Sequence, residues 1–191
     1  MKRLFVAVDL SAAVIERLAK LQNTLAGRLE DDVRIKWTDP DKIHLTLKFL
    51  GDTEESLLPA LCDTLGAAAA RTAPFEATSR GLGCFPRPSH PRVIWAGFDA
   101  ESAEALRALQ QPIDADLEEL GIRPESRSYV PHVTLGRVKS EQKPALNQLF
   151  AGVRNTPLGE SNITELVLYE STLDHSGATY DVIDHFYLGS Q

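Results

Sequence analysis

The chain contains no apolar run approaching the roughly 18 residues that a membrane-spanning helix requires, and no low-complexity tract. Its opening stretch, Leu4-Phe5-Val6-Ala7-Val8, is ended by Asp9 and followed by no small-residue cleavage site, so it reads as a buried strand and not as a secretory signal. Cysteine is scarce. Cys62 and Cys84 lack metal-ligand spacing and have apolar flanks, which points to reduced thiols packed in a cytoplasmic protein. A basic surplus is missing as well. Twenty Lys and Arg against 27 Asp and Glu leave a net charge of −7, which argues against a broad cationic face for clamping long nucleic acid but not against a local basic pocket. What is present is ordinary globular composition, 43% hydrophobic and 25% charged over 191 residues, enough to bury a core in one domain or a tight pair of half-sized lobes.

Periodicity supplies the elements. After the opening strand, Ser11 reads as an N-cap, with Val14, Leu18, Leu21 and Leu25 at helical spacing and Gly27 as the stop. Arg34 to Trp37 alternates as a short strand, Asp39-Pro40-Asp41 is a turn, and Ile43 to Leu50 is a strand ended by Gly51. Thr53 is expected to cap a second helix bearing Leu57, Leu61 and Leu65. Residues 75–85 read as a β segment broken by Gly81 and Gly83, and 86–91 as a proline-rich loop. A strand follows over 93–98, then a helix over 100–120 that Pro112 should kink or divide. A strand over 130–138, a short helix over 143–150 and closing strands over 163–169 and 180–188 complete the reading.

Two segments stand above this background. His44-Leu45-Thr46-Leu47 and His132-Val133-Thr134-Leu135 repeat one pattern 88 residues apart, near half the chain length. This predicts an α+β fold of two pseudo-symmetric lobes, with antiparallel sheets lining a central cleft and helices outside. Side chains alternate along a strand, so each histidine shares a face with the threonine two residues on, roughly 7 Å away, opposite a buried apolar row. Lys48 falls on the face of His44. Two such faces across a cleft surround a tetrahedral anion with two imidazoles and two hydroxyls. Phosphodiester hydrolysis needs that set: one imidazole to take a proton from water, one to protonate the leaving alkoxide, and hydroxyls to hold the non-bridging oxygens.

The stretches His44-Leu45-Thr46-Leu47-Lys48-Phe49-Leu50-Gly51 and Pro131-His132-Val133-Thr134-Leu135-Gly136-Arg137 resemble the paired signatures of the two-histidine (2H) phosphoesterase superfamily. More narrowly, they resemble its bacterial RNA 2′,3′-cyclic phosphodiesterases, also called 2′-5′ RNA ligases. The similarity extends to Arg3–Val8, to the segment from Phe85-Pro86 to Trp95, and to Leu168-Tyr169-Glu170-Ser171. It implies a single domain over 1–191 made of two intertwined lobes, and opening of RNA 2′,3′-cyclic phosphate ends to 2′-phosphomonoesters without cofactor or metal. The family's second name implies 2′-5′ RNA ligation by the same pair of histidines. By the same resemblance His44 is the proton donor and His132 the proton acceptor; the residues themselves establish the pair and leave its order open. Thr46 and Thr134 are phosphate ligands, with Arg137 a further candidate. Strict alternation turns Arg137 away from the cleft, and a bulge or strand end after Gly136 would bring it back.

Phe85 and Arg87, at the mouth of the proline loop, are candidate substrate-binding residues, while Phe49 and Trp95 read as core. His90, His175 and His185 lack a threonine partner and read as non-catalytic, and Asp181 and Asp184 as a solvated face. Partners are expected to be RNA ends or nucleotides carrying a 2′,3′-cyclic phosphate, for a cytoplasmic monomer that binds no membrane. Other readings keep the site but change the substrate to a small cyclic nucleotide or ADP-ribose cyclic phosphate, or retain RNA-end binding without turnover. Metal-dependent hydrolysis is disfavoured because His-x-Thr lacks the carboxylates that hard cations prefer.

Overall fold

The computed structural model describes residues 1–141, 143–173 and 177–189; His175 lies outside the described residues. The fold is α+β. Its strands are β1 (Lys2–Val8), β2 (Ile35–Trp37), β3 (Leu45–Thr53), β4 (Phe75–Phe85), β5 (Val93–Phe98), β6 (Val133–Val138), β7 (Pro157–Ile163), β8 (Glu165–Leu173) and β9 (Ala178–Tyr187). The helices are α1 (Ala12–Ala26), α2 (Leu58–Ala70), α3 (Ala100–Glu119) and α4 (Leu146–Leu149). The strands form one antiparallel sheet in the order β7-β4-β5-β6-β3-β1-β8-β9, with β2 also paired to β6.

The two expected sheets are thus two halves of one sheet, joined where β3 meets β6 through the single pair Leu45–Val133. Outward from that pair run β3-β1-β8-β9 on one side and β6-β5-β4-β7 on the other. The chain crosses between halves twice. β4 leaves the N-terminal part of the chain to pair with β5, and β8 leaves the C-terminal part to pair with β1.

Apolar periodicity fixes which face is covered. Leu4, Val6, Val8, Leu45, Leu47, Ile94, Ala96, Val133 and Leu135 are all buried on one face. Over the sheet pack α1 against β7, α2 against β9 and α3 against β4. Ser11 caps α1, its hydroxyl accepting from Val14 N, and Val14, Leu18, Leu21 and Leu25 are buried as their spacing predicts. One expectation fails locally. Thr53 ends β3, and α2 begins after a 3₁₀ turn (Glu55–Leu57) with Pro59 in its first turn, where no N–H donor is needed. Pro112 does not divide α3; it lies on the exposed side, where the carbonyl it leaves unpaired can turn to water. The strand β7 escaped the sequence reading because Pro157, Gly159 and polar residues hide its buried Leu158, Ser161 and Ile163.

The two histidine strands carry matching bulges. In β3, Ala7 pairs with Thr46 and Val6 with Lys48, leaving Leu47 unopposed. In β6, Trp95 pairs with Thr134 and Ile94 with Gly136, leaving Leu135 unopposed. In each strand two consecutive residues therefore point into the core, and alternation resumes inverted. This corrects the placement of Lys48, which leaves the histidine face and is 2% exposed, paired with Asp114 and donating to Arg123 O at 2.6 Å. At the equivalent point Gly136 has no room for a side chain: a Cβ would stand 2.6 Å from Ile35 Cγ2.

Removing one member of a buried ion pair strands the other. Lys48→Ala is therefore expected to lower the unfolding free energy by about 3 kcal/mol, measured by urea denaturation. A loss of under about 1 kcal/mol would show that Lys48 behaves as a surface cation.

Candidate active site

The Leu45–Val133 pair sets the geometry of the site. Continuing its antiparallel register by one residue each way puts His44 opposite Thr134 and Thr46 opposite His132. The two histidines are then diagonal cross-strand neighbours, roughly 7–8 Å apart at the backbone. Both lie on the face opposite the buried Leu45 and Val133. The pseudo-twofold axis runs through that pair, and the four side chains form a parallelogram around it.

Each ring is held in the same way. His44 Nδ1 meets Lys42 O at 3.0 Å and His132 Nδ1 meets Val130 O at 2.7 Å, in both cases the carbonyl two residues earlier. A carbonyl can only accept, so Nδ1 carries hydrogen in both rings and Nε2 is left for chemistry. His44 Nε2 lies 3.0 Å from Thr46 Oγ1. Beyond this the halves differ. His44 stacks on Phe5 with centroids 4.8 Å apart and meets the Tyr180 ring edge-on at 5.2 Å. Tyr169 stacks on the same Phe5 at 5.2 Å, and its hydroxyl donates to the Asp9 carboxylate at 2.9 Å. His132 meets the edge of Phe85 at 4.9 Å, and Trp95 lies 6.2 Å away. Tyr129 donates from its hydroxyl to Thr46 O at 3.0 Å, bracing the first motif from the loop before the second.

Burial holds both imidazoles below the ordinary histidine range, and their surroundings then diverge. The Lys42 carbonyl and the Asp9 carboxylate pull His44 back up. The Val130 carbonyl pulls His132 up, but the Arg137 guanidinium pushes it down.

The sequence-derived residues separate as follows. His44, Thr46, His132 and Thr134 come together on one face. Arg137 joins them, because the bulge at Leu135 turns it back to that face; the sequence reading allowed for such a bulge after Gly136, one residue later than it falls. Phe49 is corrected from core to surface. It occupies the position equivalent to Arg137, is 61% exposed, and lies 6.0 Å from Phe5. Trp95 is corrected from core to half-buried on the cleft face, its ring 5.3 Å from Phe85. Phe85 packs on His132, while Arg87 stands exposed on the loop beyond it. His90 is exposed, and His185 sits 3.2 Å from Glu165, away from both motifs. Asp9, Tyr129 and Tyr180 were missed, since no local pattern marks residues that reach the two motifs only through the fold. Among the described residues no group of three or more His, Cys, Asp or Glu could hold a metal ion, and no helix is long and apolar enough to cross a membrane.

Residues 27–175 match the family model of the 2′-5′ RNA ligase superfamily. The chain is similar to proteins named RNA 2′,3′-cyclic phosphodiesterase in two organisms. That of Methanothermobacter thermautotrophicus is 35% identical over 187 residues, covering 97% of this chain and 98% of its own. That of Aquifex aeolicus is 35% identical over 176 residues, covering 90% and 93%. Among solved structures, TT0787 of Thermus thermophilus matches with a TM-score of 0.81 at 31% identity over 99% of both chains. With the paired motifs meeting at one rung, these likenesses establish that the chain belongs to the 2′-5′ RNA ligase superfamily.

Proposed function

We propose that this protein is a phosphodiesterase that opens 2′,3′-cyclic phosphates at RNA ends, leaving a 2′-phosphomonoester. The observation that carries the reading is the diagonal of two identically anchored imidazoles, each facing the other motif's threonine. The relatives named for this activity support it. His132 Nε2 takes a proton from water as the water oxygen bonds to phosphorus. The bond from phosphorus to O3′ breaks, and His44 Nε2–H delivers a proton to O3′. Thr46, Thr134 and Arg137 hold the non-bridging oxygens as charge gathers there. With a ribose 5′-hydroxyl in place of water, the same transfers would give a 2′-5′ linkage: His132 takes the hydroxyl proton as its oxygen bonds to phosphorus, the bond to O3′ breaks, and His44 protonates O3′.

The order of roles is supported by electrostatics. Asp9 favours the charged form of His44, as an acid requires, and Arg137 favours the neutral form of His132, as a base requires. Phe85 would orient the His132 ring, and Arg87, exposed on the loop beyond it, would contact the substrate. We further read the chain as one domain of two intertwined lobes, acting without metal as a cytoplasmic monomer. The double crossing of β4 and β8 supports the single domain.

Each histidine is expected to contribute about 10²–10⁴ in rate. His44→Ala and His132→Ala should each lower kcat/KM on a 2′,3′-cyclic phosphate by that factor while the far-ultraviolet spectrum is kept. Phosphorus NMR of the product should show a 2′-phosphate; a 3′-phosphate would reverse the side of phosphorus that each imidazole serves.

The pH profile should be a bell. Its acid limb falls as His132 gains a proton and its alkaline limb as His44 loses one, though the limbs belong to the coupled pair. Asp9→Asn removes an anion that raises His44, so the alkaline limb should move to lower pH. Arg137→Gln removes a cation that lowers His132, so the acid limb should move to higher pH. Limbs that stay fixed in both variants, or move the opposite way, refute the assignment.

A further inference from the structure

Beyond the phosphate site, the β2–β6 ladder places four cations side by side. Lys36 is the pairing partner of Arg137, and Ile35 of Val138. The next rung sets Arg34 opposite Lys139, tied by a 2.8 Å bond from Lys139 N to Arg34 O. Ile35 and Trp37 face the bare α-carbon of Gly136, so Arg34, Lys36, Arg137 and Lys139 all project on the histidine face, and all four are exposed. Like charges directly opposite one another on a sheet destabilise it, and here two such rungs are adjacent. The chain as a whole is acidic, at −7. Yet among the described residues no carboxylate forms an ion pair with any of the four. The nearby Asp39 instead accepts from Asp41 N, capping the turn after β2. Gly177, the residue before β9, lies beside this patch: a Cβ on it would stand 3.3 Å from Lys36 Nζ. The cations therefore line the cleft and continue directly from Thr134 along β6.

We infer that this ladder is a track for the phosphodiester backbone of the RNA leading to the reacting end, so that the substrate is an oligoribonucleotide and not a free cyclic mononucleotide. The inference rests on the cyclic-phosphate reading above and adds to it where the rest of the substrate lies. The two-residue step between rungs, roughly 6.7 Å along a strand, is on the scale of the step between successive phosphates of an extended single strand. Cations spaced along a strand neutralise phosphates without reading bases, so the track should accept any sequence.

The test compares the native protein with the variant Arg34→Ala/Lys36→Ala/Lys139→Ala. One arm measures, by anisotropy across a salt titration, the binding of a fluorescent pentaribonucleotide ending in a 2′-phosphate, which cannot turn over. The other measures hydrolysis of a pentaribonucleotide cyclic phosphate and of a 2′,3′-cyclic mononucleotide. The variant should bind the pentanucleotide at least about tenfold more weakly. Its plot of log affinity against log salt should be shallower by about 2, since each phosphate contact on a single strand accounts for about 0.7. The preference for pentanucleotide over mononucleotide in kcat/KM should fall in parallel. Relief of like-charge rungs should leave Tm unchanged or higher, which excludes misfolding as the cause. Equal binding and equal salt slopes in the two proteins would overturn the track while leaving the chemistry standing. Failure of the native protein to hydrolyse either substrate would overturn the chemistry, and the binding arm would still decide the track.

Discussion

One backbone pair, Leu45 with Val133, holds the two halves of the sheet in register, and the arrangement of the cleft follows from it. Because the strands are antiparallel, a pairing at the middle residue of each His-x-Thr forces each histidine opposite the other motif's threonine. A slip of one residue would turn the slipped strand's motif into the core and its apolar row toward solvent. The buried rows on both sides, Leu45 with Leu47 and Val133 with Leu135, make such a slip costly. Hydrophobic burial on the helix face thus sets the position of polar chemistry on the opposite face.

The matching bulges extend this logic. They end the histidine face after Thr46 and Thr134 and reopen it at Phe49 and Arg137. Up to that point the halves supply the same groups; from there they differ. Around His44 gather Phe5, Tyr169, Tyr180 and the Asp9 carboxylate. Around His132 lie Phe85, Trp95 and Arg137. A symmetric pair of imidazoles could not divide acid from base. The proposed division rests on their unequal surroundings, one anion favouring a charged ring and one cation favouring a neutral one.

Much of this was legible in the residues. Periods of 3.6 and 2 located α1, β5 and the buried rows, and the repeated His-x-Thr located the four central site groups and their shared face. What stayed hidden depends on partners distant in the chain. Alternation alone put Lys48 with His44 and Phe49 in the core, because a bulge is a property of two paired strands and only one was in view. Trp95 has the composition of a core residue, and only the packing of β4 beside it turns its ring to His132. The joining of two sheets into one, the missed β7, and the cationic rungs of β2 on β6 all require knowing which strands are neighbours. Arg34 and Lys36, read alone, are two charges on a short exposed strand.

The central claim is that His44 and His132 act on one phosphorus. The measurement that bears on it most directly is nitrogen NMR of the two imidazoles during titration with a uridine–vanadate complex, a mimic of five-coordinate phosphorus. Both Nε2 resonances are expected to move together and saturate at one ligand concentration, with either histidine-to-alanine change weakening the response of the other ring. Movement of one ring alone, or of the two at separate concentrations, would contradict a shared phosphorus.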